Sequence, residues 1–332
     1  MLFVLTAMFA VAPIVLSEPH LEITVNISKH NYHYRQLVNI YGNVTYGDQL
    51  VEDGLVALQL GFYYSSIRHN ATRTVPANAT PTENWTIEIN SFITTDSNGD
   101  PQTAFKKGGN AWFKYNVTNN DVFESQTILI VVSLYDVDAT PFKTHWIRTT
   151  VTAGTTFGEM FRIDLNGYDG GNWISTGSAV AYANVYTDWP AQGGYPYCPE
   201  KAASFTILPQ SGLATNLPSY AAPAGESSYN SYHASVRLPP NIPLGTYNIT
   251  VSAYYRGFKN AFTTCDYDRE YEMRGDIIYN RKIDIFDIVA VAAAYGKTGG
   301  QPGWNPEADL DANGKVDIFD IVIVAGSYGK VY

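Results

Sequence analysis

The chain has 332 residues, 45% of them hydrophobic and 16% charged, with a formal net charge of −10. That length suits two or three domains with ordinary cores. The acidity excludes the basic footprint that nucleic-acid binding requires. Residues 1–17 form an apolar run broken by Pro13, too short to span a bilayer comfortably. They read as a secretory signal peptide with its cleavage site near Ser17. No later apolar run is long enough to span a membrane, so no transmembrane anchor is expected after cleavage.

From His20 to about Ala153 apolar and polar residues alternate. Leu21–Ile27, Leu37–Tyr46, Gly54–Tyr63, Trp85–Ile89, Ala111–Val117, Thr127–Tyr135 and Ile147–Val151 each read as a strand, because successive strand side chains point to opposite faces. Ile128–Leu134 is almost wholly apolar and is expected at the centre of a sheet. Asp96-Ser-Asn-Gly-Asp100 and Lys107-Gly-Gly-Asn110 supply turns. Residues 18–153 are therefore read as a first β-sandwich. Tyr34–Val44, Val51–Gln59 and the turn Asp96–Asp100 resemble macroglobulin-like and bacterial immunoglobulin-like modules, which implies spacer, binding or assembly roles.

Residues 154–268 carry a second β pattern, with strands at Gly158–Leu165, Ala179–Tyr186, Ala203–Leu208, Ser231–Leu238 and Gly245–Tyr255. Pro243–Val251 looks like the corner of an immunoglobulin-like sandwich, where a Tyr hydroxyl, here Tyr247, bonds back to the main chain. Trp189–Pro199 is an aromatic loop that reads equally as a ligand loop or as a structural one. The expected fold is mainly β: two tandem immunoglobulin-like β-sandwiches followed by a small all-α tail.

Two features agree with export. Asn-x-Ser/Thr sequons occur at Asn26, Asn43, Asn70, Asn78, Asn84, Asn116 and Asn248, twice the number that composition gives by chance. Alternation places Asn43, Asn84, Asn116 and Asn248 on the outward strand face, as glycosylation requires. The two cysteines, Cys198 and Cys265, are expected to be bonded in an oxidising compartment.

A polar linker at 269–274 leads to residues 275–332, where one segment is written twice. Ile283–Lys297 returns as Val316–Lys330, 11 of 15 positions being identical. Two units that cannot each bury an apolar face pack on one another. Counting Asp309 as position 1, oxygen donors fall at Asp309, Asp311, Asn313, Asp317 and Asp320, with Gly314 at the sharp turn and the Lys315 carbonyl at position 7. That is the order in which calcium collects its oxygens. The first copy keeps Asp276, Asn280, Lys282, Asp284 and Asp287 but has Ile278 at position 3 and Arg281 at the turn. One calcium site is expected at 309–320 and a weaker or absent one at 276–287.

This tail resembles a dockerin, a pair of calcium loop-helix repeats with Asp at position 12. The resemblance covers about 55 residues and implies attachment of a secreted protein to a cohesin-like module. It places partner contacts at Ile285, Phe286, Ile318 and Phe319, which are bulkier than the family's usual small or hydroxyl residues. Either a different surface module binds there, or these aromatics pack on the second sandwich. The chain contains no HExxH, GxSxG, phosphate-loop or zinc-type Cys/His spacing, and His30 and His33 read as ordinary histidines. The chain is thus read as a non-catalytic, extracellular or cell-surface protein. The second reading is a carbohydrate-binding or accessory component of a polysaccharide-degrading complex, with Trp112, Trp146, Trp173 and Trp189 as candidate stacking residues. The third is a glycoside hydrolase, which needs a pair of facing carboxylates.

Overall fold

The computed structural model describes residues 19–32, 36–64, 67–80, 82–168, 170, 173–210, 231–240, 242–269, 274–299, 301–311 and 313–331. The expected signal segment 1–17, His33 and linker residues 270–273 lie outside them. The described part is mainly β, with five sheets and two α-helices, Ile285–Ala293 (α1) and Ile318–Ser327 (α2). No described helix is long and apolar enough to cross a membrane.

Strand pairing does not follow the expected boundary at 153/154. Asn110–Asn119 pairs with Thr156–Asp164, and Gln126–Tyr135 pairs with Gly177–Tyr186. Leu37–Gly42 pairs with Tyr232–Arg237, and Asp53–Tyr64 with Gly245–Tyr255. One set of sheets is therefore built from strands before residue 79 and after residue 231, and the strands from 87 to 208 form a second set inserted between them. The outer set joins a five-stranded sheet, ordered Asn31–Tyr32, Phe258–Arg269, Gly245–Tyr255, Asp53–Tyr64, Ile67–Asn78, to two three-stranded sheets. The inserted set packs the sheet Thr156–Asp164, Asn110–Asn119, Ile87–Thr95 on a five-stranded sheet whose central strand is Gly177–Tyr186. Alternation is a local signal, whereas pairing depends on partners distant in sequence, so tandem and nested arrangements give the same strand pattern.

The apolar run Ile128–Leu134 lies not at the centre of its sheet but between Gly177–Tyr186 and the edge strand Pro141–Val151, and is covered on both faces. Ile128, Ile130, Val132 and Leu134 join the main core, while Leu129 and Val131 pack with Ala57 and Tyr186 of the junction. At that junction the strand Ile67–Asn78 ends its sheet, and its outward backbone groups are met by side chains of the inserted set. Ser133 Oγ accepts from Thr72 N (3.0 Å), Glu200 Oε2 accepts from Thr74 N (2.8 Å), Thr144 Oγ1 donates to Asn70 O (2.6 Å), and Tyr135 OH donates to Thr72 O (3.3 Å). Arg73 completes the seam. Its guanidinium makes a two-pronged bond to Glu200, at 3.0 Å and 2.6 Å, and lies 3.5 Å over the Tyr182 ring.

The loop Trp189–Pro199 is structural here. Gln59 Oε1 accepts from Ala191 N, and Ser252 Oγ donates to Gly194 O, so the loop is wedged against the outer set. A side chain on Gly194 would collide with the Asp188 backbone. Tyr247 OH donates to Pro243 O at 2.7 Å, the bond expected of the corner. The tail rests on the hairpin turn at 136–140. Trp304 Nε1 donates to Asp138 Oδ1 at 2.8 Å, and a Cβ on Gly299 would lie 2.9 Å from Val137 Cγ1.

Removing one partner of a buried ion pair leaves the other charge desolvated. Both side chains of Arg73–Glu200 are under one-fifth exposed. Glu200→Ala is expected to lower unfolding stability by about 3 kcal/mol. In urea denaturation, the Arg73→Ala/Glu200→Ala pair should cost less than the sum of the two single changes.

Candidate metal centre

Both tail loops fold around the same hydrogen bonds. The carboxylate at position 1 accepts two backbone N–H groups from across the loop. For Asp276 these are Asn280 N (3.1 Å) and Arg281 N (2.8 Å); for Asp309 they are Asn313 N (3.1 Å) and Gly314 N (2.9 Å). Position 5 repeats the device, Asn280 Oδ1 accepting from Lys282 N and Asn313 Oδ1 from Lys315 N. Position 9 is the helix N-cap: Asp284 accepts from Phe286 N, and Asp317 from Phe319 N, each at 2.9 Å. Position 12 closes a capping box and also reaches back to the loop's start. Asp287 accepts from Ile277 N, Ile278 N and Asp284 N; Asp320 accepts from Leu310 N, Asp311 N and Asp317 N.

The loops are also cross-paired. Ile283 N donates to Lys330 O and Gly329 N to Ile283 O, while Val316 N donates to Lys297 O and Gly296 N to Val316 O. Each loop's eighth residue is thus bridged to the stretch behind the other repeat's helix. The repeated Tyr-Gly-Lys endings serve this bridge, with Gly296 and Gly329 at φ +76° and +83°. Ile277, Ile283, Val291, Ala294, Ala308, Leu310, Val316 and Val324 make the shared core.

The loops differ where the repeat diverges. In the second, one carboxylate oxygen from each of Asp309, Asp311 and Asp320 lies within 4.8 Å of the others. Asp309 and Asp320 are fully buried. Burial raises the Asp320 carboxyl's pKa above the ordinary value despite its N–H bonds, and the Asp311 charge adds to the rise. A cation placed among the three would relieve both effects. In the first loop Ile278 replaces the middle carboxylate and is exposed. An internal ammonium also takes one of the remaining acids: Lys282 Nζ lies 2.8 Å from Asp284 Oδ2 and, with the Phe286 N–H, holds that carboxyl below the usual range. The carboxylate trio in 309–320 is the one such cluster among the described residues.

The expected partner residues do not pack on the sandwiches. Ile285, Phe286, Ile318 and Phe319 are 53%, 61%, 52% and 63% exposed, and Val289 and Val322, further along each helix, are exposed as well. Sequence reasoning missed the last two, although their spacing from Phe286 and Phe319, three residues on along each helix, would have found them.

The cysteine expectation fails. Cys198 and Cys265 are both free thiols. Cys198 is buried beside Ile89 in the inserted set, whereas Cys265 is paired opposite Ile249 in the outer set. Burial pushes them up to about 12 and about 11. Among the sequons, Asn26, Asn78, Asn84 and Asn248 are exposed. Asn43 and Asn70 are half-buried, their side-chain oxygens accepting from Ser231 N and Gln59. Asn78 and Asn116 spend the amide nitrogen itself, on Val51 O and Ser91 Oγ. Of the candidate stacking residues, Trp173 is buried and Trp112 half-buried, while Trp146 is 55% exposed and packs edge-on to Trp189.

No family model and no curated protein matches this chain. Solved structures give partial likenesses. The C-terminal domain of Wzt aligns at TM-score 0.32 and 9% identity, over 44% of this chain and 86% of that one. The alkylpurine DNA glycosylase AlkC from Pseudomonas fluorescens aligns at 0.28 and 11%, over 40% and 32%. A β-glucosidase from Erythrobacter marinus aligns at 0.28 and 10%, over 37% and 16%. At TM-scores this low, none of these carries an activity to this chain.

The turn residues give two opposite tests. Arg281 sits at φ +67° and Gly314 at φ +88°, a region that costs a non-glycine residue about 1–2 kcal/mol. Arg281→Gly is expected to raise the tail's thermal stability and Gly314→Ala to lower it, each by about 1 kcal/mol. Deleting residues 329–332 should expose the amides of the first loop to hydrogen exchange before those of the second, because Ile283 alone loses its bridge partners.

Proposed function

We propose that this chain is an exported, non-catalytic surface protein whose tail binds one calcium ion and docks a protein partner. The observation that carries the reading is the convergence of Asp309, Asp311 and Asp320 in a loop with a glycine turn. Calcium collects six to eight oxygens, and Asn313, Asp317 and the Lys315 carbonyl stand in the remaining positions of its usual order. The ion would neutralise carboxylates held together by backbone N–H groups, and so order the loop that caps α2. The first loop, with Ile278 in place of a ligand and Lys282 on Asp284, serves as the structural twin that completes the core.

The partner is read from the two apolar helix starts. Ile285, Phe286 and Val289 on α1, and Ile318, Phe319 and Val322 on α2, offer solvent a face with no charge among those six. The resemblance to dockerins supports a protein module as the occupant, cohesin-like in role and with a more apolar contact surface. The sheets of the outer and inserted sets then act as display or spacer. A carbohydrate-binding role is the second reading, favoured by a cleft at the junction of the two sets.

Saturating calcium, at about 100 times its dissociation constant, should stabilise the tail by about 2.7 kcal/mol, and Asp309→Ala with Asp320→Ala should remove the gain. For docking, the full chain is immobilised and exposed to solubilised envelope from its source, with calcium or with EDTA. Capture is expected only with calcium, and Phe286→Asp with Phe319→Asp should abolish it while leaving the calcium-dependent rise in melting temperature. Equal capture by wild type and the double variant would refute the docking face.

A further inference from the structure

The crossing from the outer set to the inserted one, at residues 82–86, borders a cleft of about 590 Å³, within the ~300–1,000 Å³ range of small-ligand sites. Its walls are Thr82, Glu83, Asn84, Trp85, Glu88 and Asn120. Trp85 is half-buried, 5.7 Å from the Tyr254 ring of the outer set, which fixes the indole across the junction. Asn120 Nδ2 donates to Trp85 O at 3.0 Å and lies 3.4 Å from Glu88 Oε2. Glu83 Oε1 is shut off from solvent, the Tyr254 hydroxyl bonds the same carboxyl, and burial raises its pKa.

This lining selects among ligands. None of the six side chains is cationic, and Arg256, the cation that acts on Glu83, is held by Asp53, so a phosphate or other anion finds no free counter-charge. One aromatic ring is too few for an ammonium cage, which encloses its guest with several. The carboxylates are two, and the one metal-type cluster among the described residues is the tail's. Apart from the indole, the walls offer a hydroxyl, two carboxylates and two amides, acceptors and donors for a polyhydroxylated ring.

From this lining we propose that the cleft seats a pyranose unit. One sugar face stacks on Trp85, Glu88 accepts from its hydroxyls, and Asn120 is the amide that bonds ring substituents. The site owes nothing to the calcium tail. The sugar has two sources, a free oligosaccharide or the glycan carried on this chain's own exposed Asn84, whose sequon Asn84-Trp85-Thr86 forms the cleft wall.

The test uses the full chain in two preparations. Protein from a host without N-glycosylation is titrated calorimetrically with chitotriose, cellotetraose, laminaritetraose and mannotetraose. Binding of one of them, weakened about tenfold by Glu88→Gln and by Trp85→Ala, supports the site with a free ligand. Protein from an N-glycosylating host is trimmed with exoglycosidases. An Asn84 glycan that is trimmed several-fold more slowly than the Asn26 glycan, with the difference lost in Trp85→Ala, supports the site with the attached ligand. Glu88→Gln keeps both arms readable if Trp85→Ala fails to fold. The proposal is overturned if no sugar binds and Asn84 is not protected, or if binding and protection are indifferent to both substitutions.

Discussion

The outer edge of Ile67–Asn78 has no neighbouring strand, and the architecture turns on how that edge is satisfied. Buried N–H and C=O groups must find partners, and an open strand edge invites pairing with another chain. Here Ser133, Tyr135, Thr144 and Glu200 supply the partners as side chains, and Arg73 neutralises the carboxylate. The inserted sheets therefore act as the cap of the outer sheet, and this explains why a non-edge strand such as Gln126–Tyr135 carries apolar residues on one face and a mixture of Leu129, Val131, Ser133 and Tyr135 on the other. A wholly apolar outer face would have left the edge unpaired.

The same constraint organises the tail. Each tail loop has an eighth residue whose main-chain groups are bonded by the other repeat. That interlock accounts for a first copy that has lost a ligand and its turn glycine yet keeps a near-identical helix and ending. Its Ile283 and its Gly296-Lys297 segment are needed by the second copy's fold even if its own loop holds no ion. The asymmetry thus lies in charge: three carboxylates converge in one loop, while Lys282 answers Asp284 in the other.

What could be read from sequence was what is local. Alternation locates most strands, the repeat locates both helices, and spacing alone names Asp309, Asp311 and Asp320. What escaped was non-local. The nested order of the sheets leaves no mark on alternation, so strand pairing crosses the expected boundary at 153/154. Cys198 and Cys265 lie in different sets, each as a free thiol. Trp85 was read as the first residue of a strand, although the strand begins at Ile87 and the indole lies in the crossing against Tyr254. Trp304 lay in a Gly- and Pro-rich stretch with no periodic signal, and its bond to Asp138 ties the tail to the hairpin at 136–140.

The proposed docking tail requires one calcium site, in the second loop of the interlocked pair. The most direct measurement is calorimetric titration of calcium into the metal-stripped full chain and into Asp276→Ala and Asp309→Ala variants. The account predicts a stoichiometry of one, retained in Asp276→Ala and lost in Asp309→Ala. Two equivalent sites, no site, or loss of the single site in Asp276→Ala with retention in Asp309→Ala would contradict it.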